Sequence, residues 1–70
     1  MSGDKVVFEV WGVKTCGART SRMKVFPAIE GINDEQEREN AFAFRDGSIE
    51  NGVNAAVFKR GPGMQFEEMY

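Results

Sequence analysis

The first long patterned stretch, Lys5–Val13 (KVVFEVWGV), has β-branched or aromatic side chains at most positions, which predicts a strand. Val6, Phe8 and Val10 fall on one face of it, and Val7, Glu9, Trp11 and Val13 on the other. Neither face is plainly polar, so both are expected to be partly covered, as in a small closed barrel or an oligomer. Residues 15–21 are small and polar with Gly17 among them, the composition of a loop. Residues 22–30 (RMKVFPAIE) alternate again, with Met23, Val25 and Ile29 on one side and Arg22, Lys24, Phe26 and Ala28 on the other. Pro27 has no amide proton to give, which predicts an edge strand or a bend. The two strands form an antiparallel hairpin with the polar loop at its tip.

Beyond this hairpin the pattern weakens. Residues 31–40 (GINDEQEREN) have a cap candidate in Asn33 or Asp34 and acids where a helix dipole favours them. They lack an apolar stripe, so the segment reads as a helical turn or a solvated loop. Residues 41–45 (AFAFR) return to a two-residue period, and Asp46-Gly47 matches a tight hairpin turn, with 48–50 as the short returning strand. Residues 54–62 (NAAVFKRGP) read as a compact helix, capped by Asn54 and stopped by Gly61 and Pro62. Met64, Phe66 and Tyr70 then alternate with Gln65 and Glu67, which predicts a last strand. The expected fold is a mainly β, small α+β domain over residues 1–70. It has about five short antiparallel strands in a partly closed barrel or curled sheet, a short helix before the last strand, and disorder over 1–4.

The totals narrow the chemistry. With 70 residues the chain is near the lower limit for a core that holds without help. One cysteine and no histidine rule out an internal disulfide and argue against a structural zinc, so self-association is the expected source of further buried surface. No signal-peptide pattern precedes the first strand and no stretch reaches membrane-spanning length, so a cytoplasmic protein without a membrane partner is expected. A net charge of −2 argues against a general duplex-DNA binder.

No reading of the sequence favours an enzyme, a metal or a cofactor. Without histidine the commonest general base at neutral pH is absent. Cys16, although flanked by Lys14 and Arg19, has no base to orient it and reads as a loop thiol. Asp34, Glu35, Glu37 and Glu39 crowd one segment and read as a solvating acidic face. Residues 46–52 (DGSIENG) fail the calcium-loop pattern, with Asn51 at the position that requires glycine. Gly61-Pro62-Gly63 lacks the spacing and the Lys-Ser ending of a phosphate loop.

One constellation stands out. Lys14, Arg19, Arg22 and Lys24 lie within residues 12–24 with no acid among them, and Trp11 and Phe26 are close by on the strands. Cations that follow phosphates beside aromatic rings that stack on bases make a single-strand nucleic-acid surface. A solvated hairpin with Trp11 and Phe26 in the core is the plainer alternative, and the acids between Glu30 and Glu50 would oppose such binding unless they face away. Protein binding is the other class, through an exposed edge strand or a charged patch.

From Met23 onward the chain resembles a family of short, mostly uncharacterised proteins of tailed bacteriophages and prophages. The matching pieces are Met23-Lys24-Val25-Phe26-Pro27-Ala28, Ala41-Phe42, Gly47-Ser48-Ile49-Glu50, Asn54-Ala55-Ala56, Phe58, Gly61 and the closing aromatic strand. Ala55 stands where that family usually has proline. The resemblance implies a non-enzymatic accessory protein with a small β fold, acting by binding in the cytoplasm of an infected or lysogenic host, with a host protein among its partners. It brings no catalytic residue with it. A single-stranded nucleic-acid binder using the basic hairpin 14–24 is the alternative.

Overall fold

The computed structural model describes residues 4–61 and 67–69, which form four strands and one helix. The strands are β1 (Lys5–Val13), β2 (Arg19–Ile29), β3 (Ala55–Arg60) and β4 (Glu67–Met69), and the helix α1 (Asp34–Glu50) lies between β2 and β3. All pairings are antiparallel, in the order β2-β1-β3-β4, and the sheet is open rather than a barrel. The architecture is therefore small α+β, with four strands instead of five and the helix before β3 instead of before the last strand.

The expected β1–β2 hairpin is present, with a tighter tip than the loop 15–21. Gly17 adopts φ 92°, donates its N–H to the Lys14 carbonyl at 2.8 Å, and the Lys14 N–H reaches the Ala18 carbonyl at 2.9 Å. This is a three-residue hairpin loop closed by a left-handed glycine. β2 then starts at Arg19 and is an edge strand, as Pro27 requires. At the strand's other end, the Glu30 N–H bonds the Asp4 carbonyl at 2.8 Å, so Asp4 is tied to the hairpin. Met1, Ser2 and Gly3 lie outside the described residues.

Two irregularities shape β2. Val10 pairs with Lys24 while Trp11 pairs with Arg22, and Gly12 pairs with Ser21 while Val13 pairs with Arg19. Met23 and Thr20 are thus the extra residues of two bulges. The second bulge has a local cause in Gly12, where a Cβ would come within 2.9 Å of the Thr20 hydroxyl oxygen.

Residues 41–50 overturn the expected hairpin, for they are the second half of α1. Ala41 and Ser48, two turns apart, are its buried positions, so small residues rather than a large apolar stripe bring the helix against the sheet. Gly47 is helical. The left-handed glycine here is Gly52, at φ 85°, where the Gly52 N–H bonds the Ile49 carbonyl and the Val53 N–H bonds the Ser48 carbonyl, each at 3.0 Å. That pair of bonds is a Schellman cap. At the other end Asp34, Glu35 and Glu37 occupy the first turn, as the dipole favours. Asn33 turns its side chain back to accept the Ile29 N–H at 2.7 Å and does not cap the helix through it.

Residues 54–62 are the second correction. Their described part contains β3, which pairs with β1 from Val7↔Arg60 to Gly12↔Ala55. Local cap and stop signals lose there to a central place in the sheet, where Val57 and Phe58 are both buried. Of the last expected strand, Glu67–Met69 form β4, while Met64, Gln65, Phe66 and Tyr70 lie outside the described residues.

The helix packs on one sheet face. Val6, Phe8, Val10, Ala28, Ala41 and Val57 form the core there, with Met23, Phe26, Phe42, Ala55 and Met69 packed against it. Among the described residues, no helix or strand lies over the opposite face. None of the described helices is long and apolar enough to cross a membrane.

Candidate functional site

The face turned away from α1 carries Glu9 and Trp11 from β1, Arg19 and Arg22 from β2, and Phe58 and Arg60 from β3. Their placement follows from the register: Glu9 is opposite Phe58, Trp11 opposite Arg22, and Val13 opposite Arg19. Opposed residues in an antiparallel pair share a face. Val7, Val25, Pro27 and Ala56 share it as well.

Glu9 is the organising residue. Its side chain is 0% exposed in the middle of the central strand, a costly position for a carboxylate unless it is paired. The Trp11 Nε1–H donates to Oε1 at 2.9 Å. A guanidinium nitrogen of Arg22 lies 3.8 Å from Oε1, and one of Arg60 lies 3.2 Å from Oε2. The Arg60 contact has the distance of an ion pair without the alignment of a hydrogen bond. Both arginines remain about half exposed, at 54% and 47%.

Arg19 completes the face. Its guanidinium carbon lies 5.4 Å from the centre of the Trp11 ring and 5.3 Å from that of Phe58, so one cation faces two ring systems. Phe58 is buried at 7% exposure, whereas Trp11 is half-buried.

The bulge at Met23 decides which cations belong here. Regular alternation puts Arg22 and Lys24 on the same side of β2. The extra residue turns Arg22 toward Glu9 and leaves Lys24 opposite Val10, on the helix side. Phe26 is on that side too. It pairs with Phe8, packs against the core, and meets Phe44 edge-on at 6.3 Å between ring centres, so it is no part of this surface. Lys14 sits in the hairpin turn. Of the six residues singled out in the sequence, the structure brings together Trp11, Arg19 and Arg22. It adds Glu9, Phe58 and Arg60.

The added residues had only a faint signal. An acid amid apolar neighbours on both faces of a strand needs cationic partners, and that requirement points to arginines elsewhere in the chain. Phe58 and Arg60 were hidden by the helix reading of 54–62. The acids of α1 lie on the other side of the sheet, with Arg38 and Arg45 among them, their guanidinium carbons 5.7 and 4.7 Å from the Phe42 ring centre.

Chemically the arrangement presents half-exposed guanidinium groups beside an aromatic ring. Guanidinium groups present planar sets of N–H donors suited to carboxylates and phosphates, and they stack on planar partners. The face is held from beneath by a charge it already neutralises. No family model, curated protein or solved structure matches the chain.

Proposed function

We propose that this chain is a non-enzymatic accessory protein of a tailed phage or prophage, acting in the host cytoplasm by binding, with the sheet face opposite α1 as its working surface. The observation that carries this reading is the gathering of Trp11, Arg19, Arg22, Phe58 and Arg60 around one buried carboxylate on the side away from the helix. Tryptophan and arginine are the residues most enriched where binding energy concentrates. A chemical role for Glu9 is disfavoured, because a carboxylate with no exposure and two cations beside it is committed to structure. The resemblance of the segment from Met23 onward supports the phage assignment.

Two classes of partner suit such a face, a host protein and a single-stranded nucleic acid. Trp11 is the chain's only tryptophan, so its emission reports on occupancy of this surface. Host extract separated into protein and nucleic-acid fractions should change that emission with one fraction, and the change should be weakened in Arg19→Ala. Emission indifferent to every fraction would remove this face as the working surface.

A further inference from the structure

We infer that the ligand of this face is single-stranded nucleic acid, with a base stacking at Trp11 and the guanidinium groups of Arg19, Arg22 and Arg60 meeting phosphates. The inference rests on the binding reading above and names its ligand class.

Three features lead there. The basic side chains gathered around Glu9 and Trp11 are all arginine, with Lys5 on the same face only at the far end of β1, and arginine matches phosphate in a paired, planar fashion where lysine offers a point charge. Arginines on β2 and β3 flank the half-buried Trp11 ring of β1, with Phe58 buried against Arg19, so cations lie on both sides of one aromatic ring along a path that crosses the sheet. A splayed single strand uses both kinds of group at once, and every base has a π-face, which makes such a surface tolerant of sequence. Among the described residues, the surface is an open sheet with neither helix nor ribbon projecting from it. A duplex, read by elements that enter its grooves, finds no reader here.

The acidic residues of the chain do not oppose this. Asp34, Glu35, Glu37, Glu39, Asp46 and Glu50 belong to α1, behind the sheet. A layer spacing of roughly 10 Å equals about one Debye length near 0.1 M salt, so their repulsion is largely screened at the front. Glu9 has no exposure and is neutralised in place. Of the other acids, Asp4 and Glu30 pair beyond the Lys5↔Ile29 end of the hairpin and Glu67 is opposite Lys59 on the helix side, while Glu68, opposite Phe58 on the short edge strand β4, shares this face and sets the path across β2, β1 and β3 and away from β4.

The test uses the full chain and a labelled single-stranded oligonucleotide of about 12 nucleotides, in DNA and RNA forms, with the matching duplex as comparison. Anisotropy is read at about 50 and about 200 mM salt. Three phosphate contacts predict a log–log salt slope near −2, a loss of affinity of about 20-fold over that range. Trp11→Leu should weaken binding by about tenfold or more. Because Trp11 also bonds Glu9, Arg22→Ala serves as the second variant, and it should flatten the slope by about 0.7. Arg38→Ala, an equal charge change on the helix, should leave affinity and slope unchanged. Thermal melts accompany each variant. Absence of binding at the lower salt overturns the inference, as does equal weakening by Arg38→Ala and Arg22→Ala. If the oligonucleotide fails while a host protein fraction shifts Trp11 emission, the nucleic-acid inference falls and the binding-face reading stands. If neither registers, both fall.

Discussion

Glu9 shows how one side chain can fix a surface. Removed from water in a central strand, it is tolerable only while Trp11, Arg22 and Arg60 surround it. Glu9→Ala leaves two guanidinium groups crowded together and an indole N–H without its acceptor. Since both arginines are half exposed and able to rehydrate, the expected cost is about 2 kcal/mol rather than the full value of a buried pair. Glu9→Gln keeps the shape and the acceptor for Trp11 and should cost less, about 1 kcal/mol. Urea unfolding of both variants checks the order. A neutral Glu9→Ala would mean that the arginines hold their places without the carboxylate. The sequence offered Glu9 only as one polar residue on an otherwise apolar strand face. Its cationic partners come from β2 and β3, one aimed by a bulge and the other on a strand mistaken for a helix, and short-range pattern contains neither fact.

Among the elements, α1 is where local signals and tertiary structure diverge. Asp46-Gly47 and Asn51-Gly52 are equally good turn dipeptides, yet only Gly52 takes the left-handed conformation. Neither glycine has a neighbour within 4 Å of an added Cβ, so alanine at each tests the backbone alone. Gly47→Ala should stabilise by up to about 1 kcal/mol, as in any helix interior, and Gly52→Ala should destabilise by about 1 to 2 kcal/mol. Opposite shifts in melting temperature are the expected result. A loss at Gly47 would restore the hairpin reading of 41–50. The helix escaped pattern analysis because its inward positions are Ala41 and Ser48, which give no strong apolar period, while Phe42 and Phe44 mimic strand alternation. The β1–β2 hairpin was legible because alternation, Gly17 and Pro27 all agree there. Residues 54–62 were not, since cap and stop residues fit a helix while alternation fits a strand, and pairing with β1 settles the choice.

At the scale of the whole molecule the question is what completes so thin a core. Among the described residues the buried apolar ones are Val6, Phe8, Val10, Ala28, Ala41, Val57 and Phe58, and of these only Phe58 lies on the face away from the helix. A chain of this length buries only about 60% of its unfolded surface, so self-association is expected to add to its stability. The sheet edges are poor places for it. β2 bears two bulges, Lys24 and Pro27, the devices that blunt an edge, and β4 spans 3 of the described residues. The face with Val7, Val25, Pro27 and Ala56 around Trp11 is the better candidate, and on the binding reading proposed above self-association and ligand binding would share that surface. They should then compete. Raising protein concentration should increase the sedimentation coefficient and, in parallel, shield Trp11 from a soluble quencher, and a bound oligonucleotide should return the protein to monomer. Oligomers that form with Trp11 as accessible as before, and that persist when the oligonucleotide is bound, would move the interface to another surface. The exposed Ile49 and Val53 beside the end of α1 would then be the next place to probe.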